Sequence, residues 1–289
     1  MMQNWLLNLL AQVSNLQISP QDLGRYMRVG LAAYNGNYEP AIGLMMQELA
    51  NRQPSSATKV ATVAKRITEH HEGQKRAFFR RFGSQGYGIY LVLGARGTGK
   101  TALALRLAEI LKSPTYVVGI PKSVVPEGIM VTTIERLVDE APNGSVVIID
   151  DASLWVSPSE ARSPEMYALQ DLINICRHVD MTIILTGQQS ASLYKYVTDA
   201  DAIFLKPPSL LFKEFERPEV AKLFSLAQAA FNEIPLHEKT KRLRSVFVVA
   251  PEFVGMMEFD MPKGFTDKLS KNKARIIDAE FREITTQEE

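Results

Sequence analysis

Cysteine is nearly missing from this chain: Cys176 is the only one in 289 residues. That excludes an internal disulfide framework and fits a reducing compartment. Histidine is scarce as well, with 4 residues and no cysteine set beside them, so a zinc site lacks its usual ligands. Neither sign of charge prevails, since Lys plus Arg number 33 against 32 for Asp plus Glu. Any nucleic-acid contact therefore has to come from a local patch and not from net charge. Uncharged apolar runs such as residues 86–93 fall far short of the roughly 20 residues that span a bilayer. The opening MMQNWLLNLLAQVSN carries no basic residue ahead of its apolar stretch and breaks into Asn and Gln. It reads as an amphipathic helix in preference to a secretion signal. There is no internal repeat. These absences lead to the expectation of a cytoplasmic protein without a membrane span.

What remains is ordinary globular composition, 46% hydrophobic and 22% charged, enough for one large domain with a smaller companion. Residues 1–82 show no strand-like alternation and are expected to be helical. Ser19-Pro20-Gln21-Asp22 forms a helix start, with Ser19 at the N-cap, and the polar, Pro/Ser-containing stretch Asn51–Thr58 reads as a linker. Lys59 to Phe82 is rich in Lys and Arg with Phe78, Phe79 and Phe82 interleaved. It is either a nucleic-acid-facing arm or a solvated helix with an aromatic docking stripe, the second being favoured. From residue 83 to 289 apolar strand-like runs alternate with helical segments. The predicted strands are Tyr87–Leu93, Thr115–Ile120, Ser145–Ile149, Met181–Leu185 and Ala202–Leu205. Helices are predicted at Thr101–Leu111, from a capping box at Thr132–Glu135 to Ala141, at Glu165–His178 and at Arg217–Phe231. Short strands are predicted at Ser245–Ala250 and Met256–Phe259. This alternation predicts a three-layer α/β core with a central, mainly parallel sheet.

Chemistry concentrates at four places. Gly94-Ala95-Arg96-Gly97-Thr98-Gly99-Lys100-Thr101 lies between an apolar strand and a helix. Glycines let backbone amides ring a phosphate chain, and the helix that follows points its positive end at it. In that setting Lys100 reaches the β- and γ-phosphates and the Thr101 hydroxyl is a ligand for Mg²⁺, so Mg-ATP is the expected cofactor. Val146–Asp151 is a β-branched strand that delivers two acids at its carboxyl end, where ligands bind in such sheets. Asp150 is the metal partner there. Asp151 is either the acid that activates the attacking water or the N-cap of the next segment. Thr186-Gly187-Gln188-Gln189 follows the next strand and is either a plain polar loop or a strand tip at which Gln188 or Gln189 senses the γ-phosphate and the attacking water. Arg177-His178 closes the helix before that strand. Arg177 either enters a neighbouring subunit's site as a finger or complements its own helix terminus, and His178 is a surface or cap residue. A strand stands between the loop strand and the aspartate strand in sequence, and the glutamine strand follows. This is the layout of P-loop enzymes in which the glutamine strand inserts between the other two.

GARGTGKT, VVIIDD, the helix ending CRH and MTIILTGQ together resemble the FtsK–HerA superfamily, and within it the viral genome-packaging ATPases and the Zot-like ATPases of filamentous phages. The late segment VFVVAPEFVGMMEFDMPKGFTDKLSK is similar to the C-terminal region of Zot-like members. The resemblance covers roughly residues 86–270 and leaves residues 1–82 outside. It implies an ATP-hydrolysing, DNA-translocating motor with catalytic Lys100, Asp151, Gln188 and Arg177 and with Thr101 and Asp150 at the metal. It also implies a homo-oligomeric ring acting on double-stranded DNA, with a capsid or portal vertex protein as a further partner, in a host cytoplasm or a virion. Two departures stand out. Asp151 occupies a place where Glu is usual, and Gly187 separates Thr186 from Gln188. Two other classes compete with this reading. One is an AAA-like or Zot-like ATPase acting on protein or virion assembly; the other is a slow ATP switch whose helical N-terminal part recruits a partner.

Overall fold

The computed structural model describes residues 71–152, 164–188, 199–208 and 218–265. Helix α1 covers residues 71–84. Eight strands follow, β1 (Gly88–Leu93), β2 (Thr115–Val118), β3 (Ile129–Val131), β4 (Val146–Ile149), β5 (Thr182–Gly187), β6 (Ala202–Leu205), β7 (Ser245–Val249) and β8 (Val254–Glu258). Between them lie α2 (Lys100–Leu111), α3 (Leu137–Glu140), α4 (Pro164–Ile175), α5 (Pro218–Asn232) and α6 (Lys239–Arg244). The strands form one sheet in the order β3-β2-β4-β5-β1-β6-β7-β8. Every pairing from β3 to β6 is parallel, and β7 and β8 extend the sheet as an antiparallel pair. The expected glutamine strand is β5, and it lies between β1 and β4, with Leu91 opposite Leu185 and Ile149 opposite Leu185 on its other side.

The strand sequences explain this placement. β1, β4, β5 and β6 are runs of apolar and β-branched residues that are buried throughout, as a sheet covered on both faces requires. One face carries Leu169 and Leu172 of α4 and Phe224 and Phe231 of α5 against Leu91, Ile149 and Leu185. The other carries Leu103 and Leu107 of α2, together with Phe78 and Phe82 of α1, against Tyr90, Val92 and Phe204. The core is thus three layers deep.

Helix α1 uses its aromatics for docking. Phe78 stacks on Phe82 at 5.9 Å and meets Phe204 edge-on, and Phe82 meets Tyr90 at 4.9 Å. Burying each ring contributes roughly 1.5–3 kcal/mol. Arg81 adds ion pairs to Glu252 at 2.9 Å and Asp201 at 3.7 Å, and its guanidinium donates to the Asp201 carbonyl oxygen. A partly exposed pair is worth about 0–1 kcal/mol, so the aromatic stripe holds this helix down and the basic residues refine it. Residue 82 belongs to this packed helix. The amphipathic opening segment, the linker and the first half of the basic arm, residues 59–70, lie outside the described residues, as do Gln189 and the charged end.

Several elements differ from expectation. The capping box at Thr132 does not form: α3 begins only at Leu137, with Arg136 at its N-cap and no side-chain cap. The backbone N–H of Thr132 is instead spent on the Val117 carbonyl oxygen, prolonging the edge of the sheet, and its hydroxyl bonds to Glu140. Strand β3 was not predictable because three residues carry no periodicity. Helix α4 stops at Ile175, and residues 176–180 turn with Asp180 at a φ of 51°. Helix α6 has no buried residue and so no apolar stripe to reveal it. After β6 strands and helices mix, which was expected, and both strands join the main sheet. Among the described residues, no helix is long and apolar enough to cross a membrane.

Candidate functional site

The loop at residues 94–101 leaves the end of β1 and enters α2 within eight residues. Its root is laced to both neighbours of β1. The Gly94 N–H donates to the Gly187 carbonyl oxygen at 3.3 Å, and the Ala95 N–H to that of Pro207 at 3.0 Å. The loop then folds over itself. Thr98 Oγ1 and Lys100 Nζ both donate to the Ala95 carbonyl oxygen, at 2.7 and 3.1 Å. Lys100 is thereby held across the loop and is largely buried. Gly99 occupies the N-cap of α2 with a φ of 87° and offers no side-chain cap. No acidic residue stands in the first turn. The positive end of the helix dipole therefore faces the loop with no acid of the helix's own first turn to offset it, which suits a phosphate group.

The acids meet the loop directly. Asp150 ends β4 fully buried, and the Thr101 hydroxyl donates to its Oδ1 and Oδ2 at 2.9 and 3.1 Å. Thr186 of β5 approaches from the other side. Its hydroxyl donates to Asp150 Oδ1 at 2.7 Å and accepts the Asp151 N–H at 2.9 Å. One threonine thus fixes both acids, and it can do so because β5 lies beside β4 in parallel register. Asp151 turns away from the strand with a φ of 50°, a left-handed conformation that aspartate tolerates better than most side chains. A hydroxyl and a carboxylate are hard oxygen donors of the kind Mg²⁺ takes, with the remaining positions left to water and substrate phosphate. No group of three or more His, Cys, Asp or Glu that could cage a metal alone occurs among the described residues.

The remaining candidates separate clearly. Gln188 follows the last residue of β5 and is exposed, one position beyond the Gly187 carbonyl that holds the loop root. Arg177 is exposed in the turn between α4 and β5, at the opening end of that strand. Six strand residues at about 3.3 Å each put it roughly 20 Å from the loop end of the sheet. It lies on the far edge from its own phosphate loop. His178 belongs to the same turn and is exposed; its N–H donates to the Ile175 carbonyl oxygen.

Loop, acids and strand order decide the architecture. The chain has a P-loop NTPase fold. No protein-family model matches the sequence, and no curated protein matches it. Among solved structures it is similar to the genome-packaging NTPase B204 of Sulfolobus turreted icosahedral virus 2 in complex with ATP-gammaS. There the TM-score is 0.40 and the identity 16%, over 61% of this chain and 98% of that one. The DNA-packaging ATPase B204 of Sulfolobus turreted icosahedral virus gives 0.37 and 17%, over 60% and 97%. The N-terminal domain of zonular occludens toxin from Neisseria meningitidis gives 0.29 and 18%, over 41% and 76%. The fold rests on the strand order and the loop, not on these similarities.

Two participants escaped the motifs. Thr186 stands within the Thr-Gly-Gln-Gln stretch, but a hydroxyl at a strand end carries no distinctive sequence signal. Lys206 is the other. It is only 1% exposed, and its Nζ donates to the carbonyl oxygens of Leu243 and Ser245 at 2.6 and 2.9 Å. Its N–H bonds to the Leu93 carbonyl oxygen at 2.7 Å, so it ties the loop strand to the junction of α6 and β7. A lysine between an apolar strand and two prolines was the available clue.

Burial pushes the Lys206 ammonium down from 10.5 to about 7. In the unfolded chain the group stays protonated until about 10.5, so between these values the unfolded state binds more protons. Stability should therefore rise with pH from about 7 to 10.5, by up to about 1.4 kcal/mol per pH unit, and be flat in this respect below 7. Urea midpoints from pH 7 to 10 check this: Lys206→Met should lack the rise that the parent chain shows. Parallel curves for the two proteins would disprove it.

Proposed function

We propose that this chain hydrolyses Mg-ATP and couples the hydrolysis to movement of double-stranded DNA within a homo-oligomeric ring, as in genome packaging. The observation that carries the hydrolytic part is the convergence of Thr101, Asp150 and Thr186 at the mouth of the phosphate loop, with Asp151 held beside them. Lys100 neutralises the β- and γ-phosphates, and the loop amides with the α2 terminus bind the remaining phosphate oxygens. Thr101 and Asp150 would hold Mg²⁺, which when bound offsets charge on the phosphate oxygens. Asp151 takes the proton of the attacking water, and Gln188 contacts that water and the γ-phosphate. An aspartate is shorter than the usual glutamate, so the fixed backbone turn at residue 151 sets its reach.

The ring is supported by the position of Arg177. It is far from its own loop and exposed, which suits a finger offered to the next subunit's nucleotide and leaves it without a part in its own. The DNA substrate and a capsid or portal partner rest on the resemblance of the motifs to packaging motors. We assign residues 1–82, apart from the turns of α1 that dock on the sheet, to contact with DNA or a partner.

Turnover of the full-length chain measured without DNA, with single-stranded DNA and with double-stranded DNA tests the motor. Stimulation by duplex and a five- or six-membered ring with an ATP analogue are expected. A monomer indifferent to DNA would instead indicate an ATP switch. Arg177→Ala should lower turnover by about a thousandfold with ATP binding retained, the size of effect that arginine fingers show. Mixing it with Asp151→Asn should restore part of the activity, because a mixed junction carries one intact site. No recovery on mixing would leave Arg177 as a helix-terminus residue.

A further inference from the structure

Helix α1 has two unlike faces. Phe78 and Phe82 are buried against the sheet, whereas Arg76 and Arg80 lie on the opposite side of the helix and are exposed. Arg81 is spent on Asp201 and Glu252. Arg76 and Arg80 have no ion pair among the described residues. They are four residues apart on one helix face, where like charges repel each other.

The acids that could answer them are committed elsewhere. In the layer that α1 shares with α2, Glu72 pairs with Lys75 and Glu109 with Arg106. Glu109 also accepts the Lys263 N–H. Lys112, at the C-cap of α2, adds a further exposed cation. The far end of the sheet has the opposite sign. Around β3 and α3, Glu127, Glu135 and Asp139 are exposed and have no ion pair among the described residues. A net charge of +1 thus conceals a polarised molecule, with unanswered cations over β1 and β6 and unanswered acids beside β3.

Spacing says which anion fits the cations. Four helical residues advance about 6 Å. Phosphates along one strand of a duplex advance about 3.4 Å per nucleotide. Two guanidinium groups on successive turns therefore match phosphates two steps apart, and their planar forks suit phosphate oxygens. The aromatic stripe fixes the helix to the sheet, so the pair is presented on a rigid support. Resting on the reading of the chain as a duplex-moving motor, we propose that the outer face of α1 holds the phosphate backbone of double-stranded DNA through Arg76 and Arg80. The acidic rim at β3 faces away from the duplex. DNA contact thereby extends from the residues ahead of α1 onto α1 itself.

Fluorescence anisotropy of a labelled duplex, titrated with the full-length chain from about 50 to 200 mM salt, tests this. Arg76→Gln, Arg80→Gln should bind roughly two- to thirtyfold more weakly, the combined range for two exposed charge pairs. Its slope of log affinity against log salt should be shallower by about 1.8, or about 0.9 for each lost phosphate contact. Two duplexes of unrelated sequence should lose affinity equally, because a backbone contact reads no base. Arg76→Lys, Arg80→Lys should keep the slope, since each charge stays. Glu135→Gln, Asp139→Asn, at the opposite rim, should leave the affinity within about twofold, because salt screens exposed charges that far off. All these positions are exposed, so melting temperatures should hardly move. A glutamine variant with the parent's affinity and slope would overturn the proposal. So would a smaller oligomer for Arg76→Glu, Arg80→Glu that regains the parent's mass when Glu135→Lys and Asp139→Lys are added, a pattern that marks a contact between copies. A parent chain that binds no duplex would overturn the motor reading itself, which is a different result.

Discussion

Lys100→Ala is expected to cut ATP turnover by at least about a thousandfold, the scale seen when a preorganised charge-stabilising group is removed from a reacting centre. The lysine crosses the loop with its ammonium 3.1 Å from the Ala95 carbonyl oxygen, and it is largely buried. It is thus already positioned over the space that the loop encloses. Its neighbour Arg96 is exposed and cannot substitute from that position. Lys100→Arg should fail nearly as badly, because a planar fork on a longer stem does not reproduce a compact point charge. Phosphate release gives turnover, calorimetry gives binding, and thermal melting shows whether the variants fold. Turnover within tenfold of the parent chain would end the assignment of this loop to catalysis.

How much of this was legible beforehand depends on how local each signal is. The loop strand and α2 were readable because glycine spacing, an apolar run and a helical run occur within about 25 residues of one another. β5 was readable for the same reason, and its place between β1 and β4 followed from the strand sequence. Asp150 could be picked out as the end of a β-branched run, and it is buried against Thr101. The partnership of Thr186 with both acids could not be read, since it arises from the register of two strands about 35 residues apart in sequence. The same is true of Lys206 and Leu243, joined across 37 residues. Thr132 failed as a cap for a related reason: its pattern was right locally, but the sheet edge took its N–H first.

The root of the loop supplies a second large effect. Gly94→Ala is expected to destabilise the fold by roughly 2–6 kcal/mol, from backbone strain and overpacking of about 1–3 kcal/mol each. Gly94 has a φ of 156°, which L side chains rarely adopt. An added Cβ would also sit 2.6 Å from Lys206 Cβ and 3.1 Å from its carbonyl carbon and oxygen. Lys206 has nowhere to go, for its N–H is bonded to Leu93 and its Nζ to two further carbonyl oxygens. Either the loop lifts or β6 and the α6–β7 junction shift, and both outcomes disturb the loop on which phosphate would sit. Gly97→Ala is the matched control. Gly97 also has a left-handed φ, 76°, but an added Cβ there meets nothing within 4 Å. Strain alone should cost about 1 kcal/mol in that variant. Denaturant melts of the two should differ by roughly the clash, with ATP affinity falling further for Gly94→Ala. Equal stability of the two variants would show that Lys206 yields, and the rigid link from the loop to Leu243 would have to be abandoned.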